Sequence, residues 1–182
     1  MPENERLLPE RLERTVIYES DFVCLYTDEV RLPSGAIIEK YHQIHYPREA
    51  VCVVLLNAND EVLLIQNRRY TVGRMEWEIP AGRIERGESM EEAARRECLE
   101  EAGCSLKDLR YLCSYNPANG MSDCVCHCFA ARVDAEAAQT DTDEVASKRW
   151  LSRKSVLDML EHNATKDGVS ILGLLYAFQF YR

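Results

Sequence analysis

Short runs of Val, Ile, Leu and Tyr, punctuated by Gly, Pro, Asn and Asp, dominate the chain and predict a strand-rich molecule with few helices. Residues 1–14 are polar and charged with two Pro, which predicts a loose lead-in or a short helix carrying little function. The runs at 15–19, 22–27 and 36–46, broken by Asp28-Glu29 and Leu32-Pro33-Ser34-Gly35, predict an antiparallel meander. Residues 50–57 read as a buried strand, Ala58-Asn59-Asp60 as a turn, and 62–67 as the hairpin partner. Further strands are predicted at 107–115 and 124–133, joined by Asn116-Pro117-Ala118-Asn119-Gly120-Met121-Ser122-Asp123. An acidic loop at 134–144, a strand at 145–151 and helices at 154–163 and 170–180 complete the pattern.

One segment follows the helical period closely. Ser89 with Glu92 is a capping-box pattern, Gly103 is a stop, and neither Gly nor Pro intervenes, so 89–102 is predicted helical. At about 100° per residue, Glu97 and Glu101 lie about 40° apart on adjacent turns, with Glu100 about 60° from Glu97 on the other side. Three carboxylates therefore crowd one edge. Arg96 can pair with Glu100, but one Arg does not neutralise three acids whose repulsion would raise their pKa values. A hard divalent cation with oxygen ligands would supply the missing charge: Mg²⁺ first, Mn²⁺ as the alternative. The plainer reading is a solvated acidic helix with an i,i+4 charge ladder.

Length and charge narrow the function. The 182 residues fit one domain with a real core plus a small N-terminal extension. A net charge of -9 and a pI near 5.0 argue against a nucleic-acid partner, and a phosphate ligand would approach against the field unless metal ions bridge. No run approaches the roughly 18 apolar residues of a membrane span, and the start lacks a basic region followed by an apolar core, so a cytoplasmic protein without membrane contact is expected. The eight Cys are read as free thiols. Cys124-x-Cys126-His127-Cys128 has zinc-ligand residue types, but strand alternation puts the Cys on one face and His127 on the other, which favours packing.

Gly82-x5-Glu88-x7-Arg96-Glu97-Cys98-x-Glu100-Glu101-x-Gly103-Cys104 resembles the Nudix box, G-x5-E-x7-R-E-U-x-E-E-x-G-U with U aliphatic. All Gly, Glu and Arg positions match, and Cys stands at both U positions. Arg69-Tyr70-x6-Trp77-Glu78-Ile79-Pro80-Ala81-Gly82 is similar to the approach to the box in ADP-ribose and ADP-sugar pyrophosphatases.

The resemblance implies an α+β fold: a mixed sheet in an α/β/α sandwich over 47–182, plus an antiparallel sheet over 1–46 that serves a homodimer. Tyr18, Phe22, Tyr26, Tyr41 and Tyr46 are the aromatics available there to a nucleotide base. It also implies Mg²⁺-dependent hydrolysis of a nucleoside diphosphate sugar, foremost ADP-ribose to AMP and ribose 5-phosphate. The Ala81 carbonyl, Glu97 and Glu101 would be metal ligands, Glu100 would bridge or accept from water, and Glu88 and Arg96 would orient the acids. Gly82 is expected to adopt backbone angles that other residues resist, turning that carbonyl towards the metal. Arg69, with Arg68 and Arg74 nearby, would hold the diphosphate or terminal ribose, while Trp77, Glu78 and Gly120 join the substrate pocket. The base for the attacking water is expected from the acidic loop: Glu144 first, then Asp143 and Asp141. The alternatives are a Nudix hydrolase of a GDP-sugar, a dinucleoside polyphosphate or NADH, and a catalytically idle nucleotide-binding regulator.

Overall fold

The first three runs form the expected meander, but it begins earlier: β1 spans Glu10–Tyr18, β2 Cys24–Arg31 and β3 Ile37–His45, in sheet order β1-β2-β3. The polar lead-in is therefore partly strand. Cross-strand charges hold its start, which an apolar pattern does not register: Arg31 donates to Glu10 at 2.7 Å, and Arg14 makes a forked pair with Asp28 at 2.8 and 2.7 Å. The computed structural model describes residues 8–136 and 143–181. These divide into two compact units, one running up to Arg48 with Ala118–Cys124 added, the other comprising Glu49–Pro117 and the chain from Val125 onward.

The added segment closes on β3 within the smaller unit. The Ile44 N–H donates to the Met121 carbonyl at 2.8 Å, and the Tyr41 hydroxyl donates to the Gly120 carbonyl at 2.9 Å.

In the larger unit β4 (Ala50–Leu56), β5 (Val62–Arg69), β8 (Cys104–Tyr115), β9 (Cys126–Glu136) and β10 (Val145–Leu151) lie in the order β10-β5-β4-β9-β8. Only β4 and β9 run parallel. The expected β4-β5 hairpin is brief: after the Leu56–Val62 pair the strands part, β5 taking β6 (Arg74–Glu78) and β4 taking β7 (Ala81–Arg83). The sequence pattern predicts neither β6 nor β7; Pro80 and Gly82 interrupt any alternation around β7. The pairing of β7 with β4 is long-range, whereas β6 folds back on β5 from Arg69 opposite Arg74.

The central strand β4 is apolar on both faces, as a sheet covered on both sides requires. Val51, Val53 and Leu55 pack with Ala93, Ala94 and Cys98 of α1 (Met90–Ala102). Cys52 and Val54 face the other way, against Val156 of α2 (Arg153–Glu161) and Leu174 and Ala177 of α3 (Gly168–Phe180). This is the α/β/α layering. All eight Cys are free; Cys126 and Cys128 are buried in the α3-side cluster, Cys124 precedes β9, and the His127 ring meets Glu49 at 2.7 Å. Among the described residues no helix is long and apolar enough to cross a membrane.

Candidate active site

The helix that carries the acids is fixed at both ends by local chemistry. The Ser89 hydroxyl accepts from the Glu92 N–H at 3.2 Å while the Glu92 carboxylate accepts from the Ser89 N–H at 2.8 Å, and Gly103 ends α1 at φ 65°. Those ends set the phase of the helix. Ala93, Ala94, Cys98 and Ala102 enter the core, and Glu97 and Glu101, next to that stripe, are only 9% and 6% exposed. Glu100 stays outside with 55% of its side chain exposed. The three acids thus differ in burial, two being withdrawn from water and one not, although Glu97 and Glu100 meet on the same Arg96 nitrogen.

Arg96 binds more of them than the i,i+4 spacing suggests. Its Nε and Nη2 donate to Glu88 at 2.9 and 3.0 Å, its Nη1 to Glu97 at 2.7 Å and Glu100 at 3.0 Å, and its Nη2 also to the Arg83 carbonyl at 2.8 Å. The guanidinium holds the Glu88 carboxyl below its ordinary pKa. At Glu97 burial outweighs Arg96 and the pKa rises; at Glu101 burial pushes it up to about 8, against the Ala81 N–H that donates to it at 2.9 Å. Mutual repulsion, the expected cause, is real but secondary: Glu97 and Glu144 add to the rise at Glu101 after desolvation.

Gly82 is needed for space, not for its backbone angles. Its φ is not in the left-handed region, whereas Gly35, Gly73, Gly87 and Gly103 are. A Cβ at position 82 would lie 1.9 Å from the Glu97 Oε1. The backbone of β7 therefore runs directly against the two buried carboxylates, Gly82 touching one and the Ala81 N–H bonding the other.

A second group gathers at the end of β5. Arg69 Nε reaches both Glu78 oxygens, at 2.9 and 3.1 Å, its Nη2 closes on Glu78, and its Nη1 pairs with Glu144 at 2.7 Å. Asn67 donates to the buried Glu78 at 3.2 Å. Register explains Glu144: β10 pairs with β5 from Val145 opposite Asn67, and the Glu144 carbonyl accepts the Arg68 N–H at 3.0 Å. Arg69 and Glu144 both act electrostatically on Glu101, so the two groups adjoin. Beside them is a recess of about 240 Å³ whose lining includes Arg69, Arg74, Glu78 and Lys166.

The other expected residues are more dispersed. Trp77 lies beneath the Arg149 guanidinium at 4.9 Å and packs on the α3-side core. Arg74 pairs with the buried Glu76, and Arg68 Nη1 donates to the Asp143 carbonyl at 3.4 Å. Gly120 belongs to the smaller unit, and Asp141 lies outside the described residues. Sequence reasoning missed the buried Asn67, Glu76 and Ser170, the last accepting the Ile79 N–H at 2.9 Å; only Ser170 carries a local signal, being polar within an apolar run.

Among the described residues no group of three or more His, Cys, Asp and Glu side chains is arranged to hold a metal ion. A two-carboxylate site is different. Mg²⁺ takes one or two protein carboxylates and completes its octahedron with water and phosphate oxygens. Glu97 and Glu101, hard oxygen donors withdrawn from water beside a bare backbone strand, fit that demand.

Comparison with known proteins gives a consistent picture. The family model of the NUDIX domain matches residues 46–171. The chain is 28% identical over 171 residues to the ADP-ribose pyrophosphatase of Bacillus subtilis, covering 90% of this chain and 91% of that protein. It is 27% identical over 161 residues to a CMP-5'-(N-acetyl-N-hydroxy-3-aminopropyl)phosphonate hydrolase of Streptomyces rubellomurinus, covering 88% and 77%. The crystal structure of an ADP compounds hydrolase superposes with a TM-score of 0.83 at 22% identity, over 94% of this chain and 93% of that one.

Proposed function

The chain belongs to the Nudix family of pyrophosphohydrolases, and from that premise we propose that it hydrolyses ADP-ribose to AMP and ribose 5-phosphate with Mg²⁺. The observation that carries the reading is the pair of buried carboxylates, Glu97 and Glu101, set against the Ala81-Gly82 backbone. Bound Mg²⁺ would neutralise the diphosphate, polarise phosphorus and make the attacking water more acidic.

The remaining work falls to side chains of this protein. Glu97 and Glu101 would hold the ion, together with the Ala81 carbonyl, while Arg96 fixes Glu97 and ties Glu88 to the Arg83 carbonyl so that neither acid swings. Glu100, exposed at the rim, would assist as a further carboxylate for the ion or its water. Glu144 takes the proton of the attacking water on its carboxylate. Arg69 positions Glu144; of its five N–H groups two remain unbonded among the described residues and can reach a substrate phosphate. Trp77 and Glu78 shape the pocket, and the sheet of β1 to β3 joins two chains in a homodimer.

Two relatives named for differently linked nucleotides, ADP-ribose and a CMP phosphonate, make the substrate the question to test. Purified protein with Mg²⁺ is offered ADP-ribose, a GDP-sugar, a dinucleoside polyphosphate, NADH and a CMP-linked phosphonate. We expect the highest kcat/KM for ADP-ribose, with AMP as product. A preference for any other member replaces the substrate, and no turnover of any would leave a nucleotide-binding regulator. In the same assay Glu101→Gln should abolish turnover while the protein stays folded; unchanged activity would remove α1 from the mechanism.

A further inference from the structure

A second cavity, of about 440 Å³, opens on the other face of the larger unit's sheet and at the other end of β4. The carboxylates of α1 lie on the Val51 side near the start of β4, whereas this cavity is lined by Val54 and Leu56 of β4 and by Ala177, Phe178 and Tyr181. At about 3.3 Å per residue, the step from Val51 to Leu56 is roughly 17 Å. The proposed reaction uses none of these groups.

The walls combine flat rings with guanidinium groups. Arg132 is committed, donating to the Asn57 carbonyl at 2.7 Å and to Asp60, a carboxylate that also lines the cavity and is neutralised by this pair, at 2.6 Å. Arg153 is not: its Nη2 donates to the Phe178 carbonyl at 2.7 Å, its guanidinium lies 4.9 Å from the centre of the Phe178 ring, and among the described residues no carboxylate pairs with it. In a chain of net charge -9, a cation lining a cavity without a counter-ion is a place for an anion. Arginine's planar fork matches phosphate oxygens two at a time, and beside it the Phe178 ring, with one face under Arg153, and the Tyr181 ring, 5.9 Å from the Arg110 guanidinium, supply an aromatic wall for a flat ring system. The volume falls within the roughly 300–1,000 Å³ typical of small-molecule sites and admits a mononucleotide.

We propose that this cavity is a second ligand site, distinct from the hydrolytic one, for a small anion carrying a flat ring, of the nucleoside monophosphate class, with the phosphate on Arg153 and the ring against Phe178 and Tyr181. AMP is the probe. The full chain is titrated with AMP by calorimetry in the presence of chelator, and the Phe178 and Tyr181 ring resonances are followed by NMR. Arg153 is exposed on the first turn of α2, so Arg153→Glu leaves the core intact. We expect AMP to shift both rings, the binding at this cavity to weaken at least about tenfold in Arg153→Glu, and ADP-ribose hydrolysis by that variant to be unchanged. Equal AMP affinity in the two proteins, or ring resonances unmoved at millimolar AMP, would overturn the site. Binding is read without turnover, so failure of the hydrolase reading leaves this result interpretable.

Discussion

Burial of Glu101 has a measurable consequence without any substrate. Below its ordinary pKa of 4.5 the carboxyl is protonated in folded and unfolded chains alike. Between there and about 8 the unfolded chain releases a proton that the folded one keeps, so the metal-free protein loses stability as pH rises through that window and levels off above it. The loss over the whole window is on the order of 5 kcal/mol. Thermal unfolding in chelator at pH 5 and pH 8 should show it for the wild type and much less for Glu101→Gln; parallel curves for the two would mean that Glu101 is not the group responsible. Added Mg²⁺ should stabilise most at pH 8, where the ionised carboxylates most need a cation. The companion residue is Gly82. A methyl group there would stand 1.9 Å from the Glu97 carboxylate, so Gly82→Ala must push either β7 or Glu97 aside. We expect kcat to fall at least about a hundredfold, as misplacement of this order costs in a preorganised site, with a far-ultraviolet circular dichroism spectrum like that of the wild type.

Legibility differs between elements because their causes differ in range. Helix α1 was readable to within a residue: the Ser89-Glu92 box and Gly103 are local signals, and the structure realises both. The spacing of Glu97 and Glu101 was readable for the same reason. Their burial was not, since it depends on β7 running alongside, and β7 exists only because β4 parts from β5 and takes Ala81–Arg83 as its neighbour. The Arg69–Glu144 pair was likewise hidden, being the product of a β5-β10 register across 75 positions of sequence. Strand β1 was cut short in the reading because charge pairs, not apolar alternation, hold its start. The legible helix also allows a direct test. Replacing Ser89 by Ala removes the hydroxyl that caps Glu92 and should lower stability by about 1 kcal/mol, roughly 2–4 °C in Tm. Calorimetry that finds no shift would show the cap to be replaced by water.

At the scale of the whole molecule the smaller unit poses the last problem. A three-stranded sheet needs a covered apolar face to be stable, yet Val16, Ile17 and Tyr18 of β1 and the nearby Phe22 are each more than half exposed. Scattered apolar residues on a surface need no explanation, but four exposed ones within seven positions, in a chain otherwise rich in charge, are a concentration that a covering partner would relieve. A second copy of the chain is the occupant that the proposed homodimer supplies, and symmetry lets one patch serve both partners. Sedimentation should then give one species of twice the 20.9 kDa chain mass at micromolar concentration. The double variant Ile17→Asp with Phe22→Asp should sediment as a monomer, because two desolvated carboxylates facing their copies cost more than the two buried apolar side chains contribute. Both positions are exposed, so the variant should keep the sheet and the circular dichroism of the wild type. A wild-type chain that sediments as a monomer would return the patch to solvent and remove the homodimer from the proposed function.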